Sequence, residues 1–294
     1  MRKAVISVIL AAGLLLALAS GCAMMAQSPA PTTAGVTTTA TTQAPTDPTT
    51  PPTDPTEGPT VPADAPTDPT DPTPTEPEEP SQPEKKLTVC IDAGHQRYGI
   101  SEKEPNGPGS DVMKAKLTSG TRGVSTGIAE YQLTLDVSLL LEQELLARGY
   151  DVVMIRRDNV CPLSNAERAQ VANDSGADIF IRIHANGSED ASVSGALCCA
   201  PTKSNPYLTD DLVSESIRLS RFVVDGLCDT TGARNRGILS TDTMTGINWC
   251  QIPVTIVEMG FMSNAAEDEL MATAEYRDKI VQGIADGIDG YFEA

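Results

Sequence analysis

His95 and His184 are the only two histidines in this 294-residue chain, and each closes an apolar run that reads as a buried strand. The first run is Leu87-Thr-Val-Cys-Ile-Asp-Ala-Gly-His95. The second is Ile179-Phe-Ile-Arg-Ile-His184, followed by the turn signal Asn186-Gly187. Histidine is the commonest metal ligand and the usual proton carrier near neutral pH. A catalytic zinc takes three protein ligands and keeps a fourth position open, so two imidazoles need a carboxylate or a cysteine beside them. Glu130, in Gly127-Ile-Ala-Glu130, is the candidate, placed in the first turn of an expected helix; the alternative is an exposed acid favoured there by the helix dipole. Glu258 follows the apolar run Val254-Thr-Ile-Val257. A carboxylate there is costly unless it pairs or binds something, and its expected role is that of a general base; the alternative is a structural salt bridge.

The elements that must position these groups follow from periodicity. Strands are expected over 86–92, 152–156, 178–184 and 251–257, with an edge strand over 193–200. Helices are expected over 129–148, 164–173, 210–228, 263–270 and 273–292. In the first helix Leu133, Val137, Leu140 and Leu141 make one stripe; in the second, Ser164 and Glu167 are spaced as a capping box. The alternation predicts a single α/β domain over 86–294, with a mostly parallel twisted sheet and helices on both faces. Ligands of such sheets sit outside the carboxyl ends of the strands, so His95, His184 and Glu258 can meet at one rim. The polar stretch 96–128 is long for a loop in a compact domain. Both its ends adjoin proposed ligands, so it is expected to border the site.

The first 85 residues cannot extend that core. Residues 1–21 carry Arg2 and Lys3, a long apolar stretch and small residues before Cys22, as a secretory signal peptide does. Ala19-Ser20-Gly21-Cys22 resembles a bacterial lipobox, in which Ala19 stands where leucine is usual. Cys22 would then carry the lipid and hold the exported protein on the outer face of the membrane; the alternative is cleavage and release. Residues 22–85 hold 16 of the 22 prolines together with Thr and Asp repeats, a composition that builds no core and is expected to form a disordered tether. The formal charge of −19 divides as +2 before residue 23, −9 over 23–85 and −12 over 86–294. That balance argues against a nucleic-acid partner. Cys90, Cys161, Cys198, Cys199, Cys228 and Cys250 fit no CxxC zinc pattern, and several lie in strand-like runs where free buried thiols are common. Trp249 suits either a groove floor or core packing.

Ile91-Asp-Ala-Gly-His95, Gly127-Ile-Ala-Glu130, Ile183-His-Ala-Asn186 and Val257-Glu-Met-Gly-Phe-Met-Ser-Asn264 together resemble the zinc-dependent N-acetylmuramoyl-L-alanine amidases of the type 3 family, over residues 86–292. The resemblance implies zinc held by His95, Glu130 and His184, with Glu258 as the catalytic glutamate. It also implies cleavage of the amide joining the lactyl group of N-acetylmuramic acid to L-alanine, with peptidoglycan as partner. Arg182, Asn186 and Asn264, beside motif residues, are candidates for binding substrate. The stretch 97–126 is longer than in the shorter family members. Two other readings remain open at this stage: an inactive wall-binding or regulatory module on the same fold, and a zinc peptidase of different substrate.

Overall fold

A computed structural model describes residues 86–294; the expected signal segment, Cys22 and the tether lie outside the described residues. β1 (Thr88–Ala93) lies between β4 (Asp151–Met154) and β5 (Ile179–Asn186), and β8 (Val254–Phe261) pairs with β5; these four strands run parallel. β6 (Ala196–Ala200) pairs antiparallel with β8 and parallel with β7 (Asn235–Ser240). The 193–200 run is therefore internal rather than an edge. The edge is β7, whose sequence Asn-Arg-Gly-Ile-Leu-Ser has no apolar alternation and remains mostly exposed or half-buried.

Helices cover both faces. α1 (Glu130–Ala147), α3 (Asp210–Thr231) and α6 (Ala274–Glu293) pack on one side, where Leu133, Val137, Leu141 and Leu145 recur every four residues and meet Val89, Ile91, Ile181 and Val257. Leu140 is only partly buried at the margin of that cluster. α2 (Asn165–Asp174) and α4 (Thr245–Asn248) adjoin the other side, against Cys90, Phe180, Val254 and Ile256. The capping box of α2 forms as its spacing predicts: Ser164 accepts from the Glu167 N–H, and the Glu167 carboxylate accepts from the Ser164 N–H. All six cysteines of these residues are buried and unpaired, and burial raises the thiols of Cys90, Cys198, Cys199, Cys228 and Cys250, Cys199 to about 12.

Side chains alternate along a strand, so the second face carries a further pattern. Cys90 and Asp92 share it, as do Phe180, Arg182 and His184, and Val254, Ile256 and Glu258. That face is apolar at the strand starts and polar at the carboxyl ends. The polar ends define a rim.

The stretch 96–128 is not a plain loop. It contains a hairpin of β2 (Ile100–Pro105) and β3 (Met113–Leu117). Ile-Ser-Glu-Lys-Glu-Pro shows no apolar alternation; Met113, Ala115 and Leu117 do alternate, but only Leu117 is buried, and the hairpin is held largely by polar groups. The Trp249 indole N–H donates to the Pro105 carbonyl (3.0 Å), Asn248 donates to the Asn106 carbonyl (3.0 Å), and Asn106 donates to the Asp242 carbonyl (2.8 Å). Trp249 thus fastens the hairpin from the loop before β8.

Candidate metal centre and groove

His95 follows the end of β1, His184 lies on β5 two residues before its end, and Glu130 opens α1. His184 is in register with Glu258, and both strands continue beyond the pair to Asn186 and Phe261. Glu258 therefore lies within β8 and not at its end. The ladder shifts register between His184 and Asn186, the kind of irregularity that re-aims side chains beside active sites.

Three polar atoms converge. His95 Nε2 lies 3.0 Å from Glu130 Oε1, His184 Nδ1 lies 3.2 Å from the same oxygen, and the two nitrogens are 3.1 Å apart. Bonds of ~2.0–2.1 Å to a tetrahedral ion separate neighbouring ligand atoms by about 3.3 Å. The triangle is therefore the size that such an ion requires. Proton counting agrees. His95 Nδ1 lies 2.9 Å from the Thr118 carbonyl and 3.0 Å from the Thr118 hydroxyl; a carbonyl only accepts, so a proton on Nδ1 suits that pair of contacts. With that proton on Nδ1, Nε2 is the nitrogen left to offer a lone pair to a cation beside the Glu130 carboxylate.

The electrostatics suit a cation. Burial alone would raise the Glu130 carboxyl, but the His184 and His95 contacts outweigh it and hold it well below the usual carboxylate range. Burial, against the pull of Glu130, depresses His184 to about 4 and keeps its imidazole neutral. Burial and then the Glu130 charge raise Glu258 to about 8. Glu258 Oε2 and His184 Nε2 are buried without a hydrogen-bond partner. Glu258 forms no ion pair among the described residues, which leaves the salt-bridge alternative unsupported.

The chain after β1 is bent to place His95, whose φ of 61° is the one positive value at a non-glycine among the described residues. Such conformations persist only where the surroundings over-determine them, and two buried arginines do so here. Arg168 donates to the Ala93 carbonyl (3.1 Å) and the His95 carbonyl (3.0 Å), and pairs with Asp92 (2.7 Å). Arg156 donates to the carbonyls of Ala93 (2.7 Å) and Gly94 (3.0 Å). Burial would raise Asp92, but Arg168 and Arg182 outweigh it and keep it ionised. Gly94 has to be glycine for another reason: a Cβ there would stand 2.4 Å from the His184 ring and 2.6 Å from the Ile183 carbonyl.

The expected substrate-binding residues diverge. Arg182 lines the groove beside the cluster but is already held by Asp92 (2.9 Å) and Asn165 (2.8 Å). Asn186 lines the cluster directly. Asn264 lies outside the cluster and the groove and caps α5 (Ala265–Met271), accepting from the Ala266 and Glu267 N–H groups. The 97–126 stretch borders the site on two sides: Thr118, Gly120 and Thr121 line the cluster, and Met113, Lys114 and Ala115 line the groove.

Residues 89–290 match the N-acetylmuramoyl-L-alanine amidase family. An N-acetylmuramoyl-L-alanine amidase of Mycobacterium tuberculosis is 28% identical over 214 residues, covering 70% of this chain and 86% of that protein. The amidase LytC of Bacillus subtilis is 29% identical over 169 residues, 58% of this chain and 32% of its own length, so the likeness spans about a third of that protein. Among solved structures, the amidase Ami1 of Mycobacterium smegmatis superposes with a TM-score of 0.64 at 28% identity, covering 70% of this chain and 97% of that one. With the match running from β1 into α6 and taking in His95, Glu130, His184 and Glu258, the chain belongs to the N-acetylmuramoyl-L-alanine amidase family.

Proposed function

We propose that this chain is a zinc-dependent peptidoglycan amidase that uses His95, Glu130 and His184 as metal ligands and Glu258 as general base. The observation that carries the reading is the 3.0–3.2 Å triangle of two imidazole nitrogens and one carboxylate oxygen. Two histidines and a carboxylate also suit iron(II), but amide hydrolysis moves no electrons between oxidation states and zinc serves it without redox chemistry. Zinc held there supplies a Lewis acid that acidifies water and polarises a carbonyl.

The chain's own residues supply the rest. Glu258 Oε2, buried and without a protein partner, is free to take a proton from the attacking water and return it to the departing alanine nitrogen. The Thr118 carbonyl fixes the His95 tautomer, as hydrogen bonds outside the ligand set commonly do. Glu130 is held in turn by the Thr121 N–H (2.8 Å) and the Ala185 N–H (3.2 Å). Residues 1–21 would direct export, with Cys22 as lipid anchor, and 22–85 would act as a spacer to the wall.

The test is digestion of purified peptidoglycan with elemental analysis of the wild type and three variants. Amidase action exposes new L-alanine amino termini and leaves glycan strands whole. His184→Ala should lose metal and activity together. Glu130→Gln should bind metal weakly, because a neutral amide is a poorer ligand. Glu258→Gln should keep its zinc and lose roughly 10²–10⁴ in rate. Zinc lost from Glu258→Gln but kept by Glu130→Gln would exchange the two roles, and wild-type activity in Glu258→Gln would refute the mechanism.

A further inference from the structure

A groove of about 560 Å³ leads from the histidine cluster between the hairpin and the segment before α4. Its floor carries Ile256 and Met244, and among the described residues its only acidic lining residue is Glu258, at the histidine end. That is unexpected in a domain of net charge −12. The reversal is local to the 96–128 stretch, which carries five lysines and arginines against three acids. One of those acids, Glu104, is buried and turned toward the Ala166 N–H of α2 (3.3 Å).

Two side chains bring formal positive charge into the groove. Arg182 is committed to Asp92 and Asn165. Lys114, on β3, stands opposite Glu104 in the hairpin register, yet no ion pair joins them among the described residues and no other acid holds the lysine. Its wall is fixed, because Asn165 donates to the Lys116 carbonyl (2.9 Å) while accepting from Arg182. A half-buried lysine on a rigid wall, with no acid paired to it among the described residues, is arranged for an anion brought by the substrate.

Resting on the amidase reading above, we propose that Lys114 is a specificity-determining residue that recognises a carboxylate of the stem peptide beyond its first alanine. In peptidoglycan the second residue is a glutamate joined through its side-chain carboxyl, which leaves its α-carboxylate free or amidated. The third is commonly a diamino acid whose second carboxyl is also free or amidated. The glutamate α-carboxylate is about 7 Å of extended chain from the scissile amide, a span the groove accommodates. One charge-assisted hydrogen bond at a half-exposed site corresponds to roughly tenfold in kcat/KM, appearing in KM more than in kcat because it is made equally in ground and transition states.

The experiment compares wild type, Lys114→Ala and Lys114→Arg, each checked for wild-type zinc content, on three muramoyl tetrapeptides: one with both carboxylates free, one amidated at residue two, one amidated at residue three. Wild type should prefer the free acid over one of the amidated substrates by about tenfold. Lys114→Ala should erase that preference and Lys114→Arg should retain it; the position whose amidation slows the wild type identifies the carboxylate read. Equal rates of wild type on all three substrates, or an equal loss in Lys114→Ala on all three, overturns the proposal while leaving the amidase reading intact. Failure of wild type to release L-alanine termini from any of them overturns the amidase reading itself.

Discussion

Removing the charge of Glu258 should stabilise the metal-free protein while disabling the enzyme. Burial and the Glu130 carboxylate raise Glu258 from its ordinary 4.5 to about 8. The folded carboxyl therefore holds its proton over a range where the unfolded chain has released it. Stability falls as pH rises between those two values and is unaffected below the unfolded one. At pH 7 the difference of two to three pH units corresponds to about 3 kcal/mol, at 1.36 kcal/mol per unit. Glutamine has no such proton to lose. For a domain of this size 1 kcal/mol moves the Tm by roughly 2–4 °C. Glu258→Gln should therefore gain on wild type by about 6–12 °C between pH 4.5 and pH 7 after chelation of metal. His184 works in the opposite sense: its folded pKa is depressed to about 4, so its contribution is lost as pH falls through that region. It is common to both proteins and largely cancels in the difference. The assay is calorimetry of both proteins in EDTA across this range, repeated with zinc, whose charge should shrink the wild-type slope. A difference in Tm that stays flat with pH would refute the burial argument.

Two further outcomes follow from the turn after β1. Gly94→Ala places a methyl within 2.6 Å of the His184 ring and the Ile183 carbonyl, so zinc affinity measured by competition with a chelator should fall at least tenfold, with a stability loss of about 1–3 kcal/mol. Arg168→Leu removes one partner of a fully buried ion pair and the donor to the His95 carbonyl; thermal unfolding should show a loss of about 3–5 kcal/mol, and zinc affinity should fall ~10–100-fold.

The four polar residues of the site were legible because each interrupts a strong local pattern. His95, His184 and Glu258 break apolar runs, and Glu130 stands where a helix begins. The arginine cradle was not legible. Arg168 sits in a helix whose apolar residues are only Ala166, Ala169, Val171 and Ala172, and nothing near it in sequence says that it is completely buried against β1. Burial of a long charged side chain is decided by partners 73 and 76 residues away. Asn264 carries a legible signal of its own: an asparagine followed three residues later by Glu267, before a helical segment, marks a cap more strongly than a substrate ligand. The strand ends were misplaced for a related reason. β5 and β8 continue past His184 and Glu258 because they pair with each other, a condition local apolarity does not report. The hairpin and β7 escaped notice because their residues satisfy backbone pairing without supplying a core face.

The hairpin's fastening separates two kinds of change. Its far end is tied by Trp249, Asn248 and Asp242, while the arginines that hold the turn after β1 bond to none of its strands. Beyond the first of these anchorages, residues 107–112 form a short turn, buried at Gly107 and mostly exposed after it, whose ties to the rest of the domain run through Tyr207. Lengthening or re-lettering that turn leaves His95, Glu130, His184 and the groups that hold them untouched. If Lys114 reads the stem peptide as proposed, the domain keeps its reaction chamber beside an exchangeable address label, and transplanting the 100–117 segment together with its 242–249 latch is the route to redirecting the same hydrolysis to a differently decorated wall.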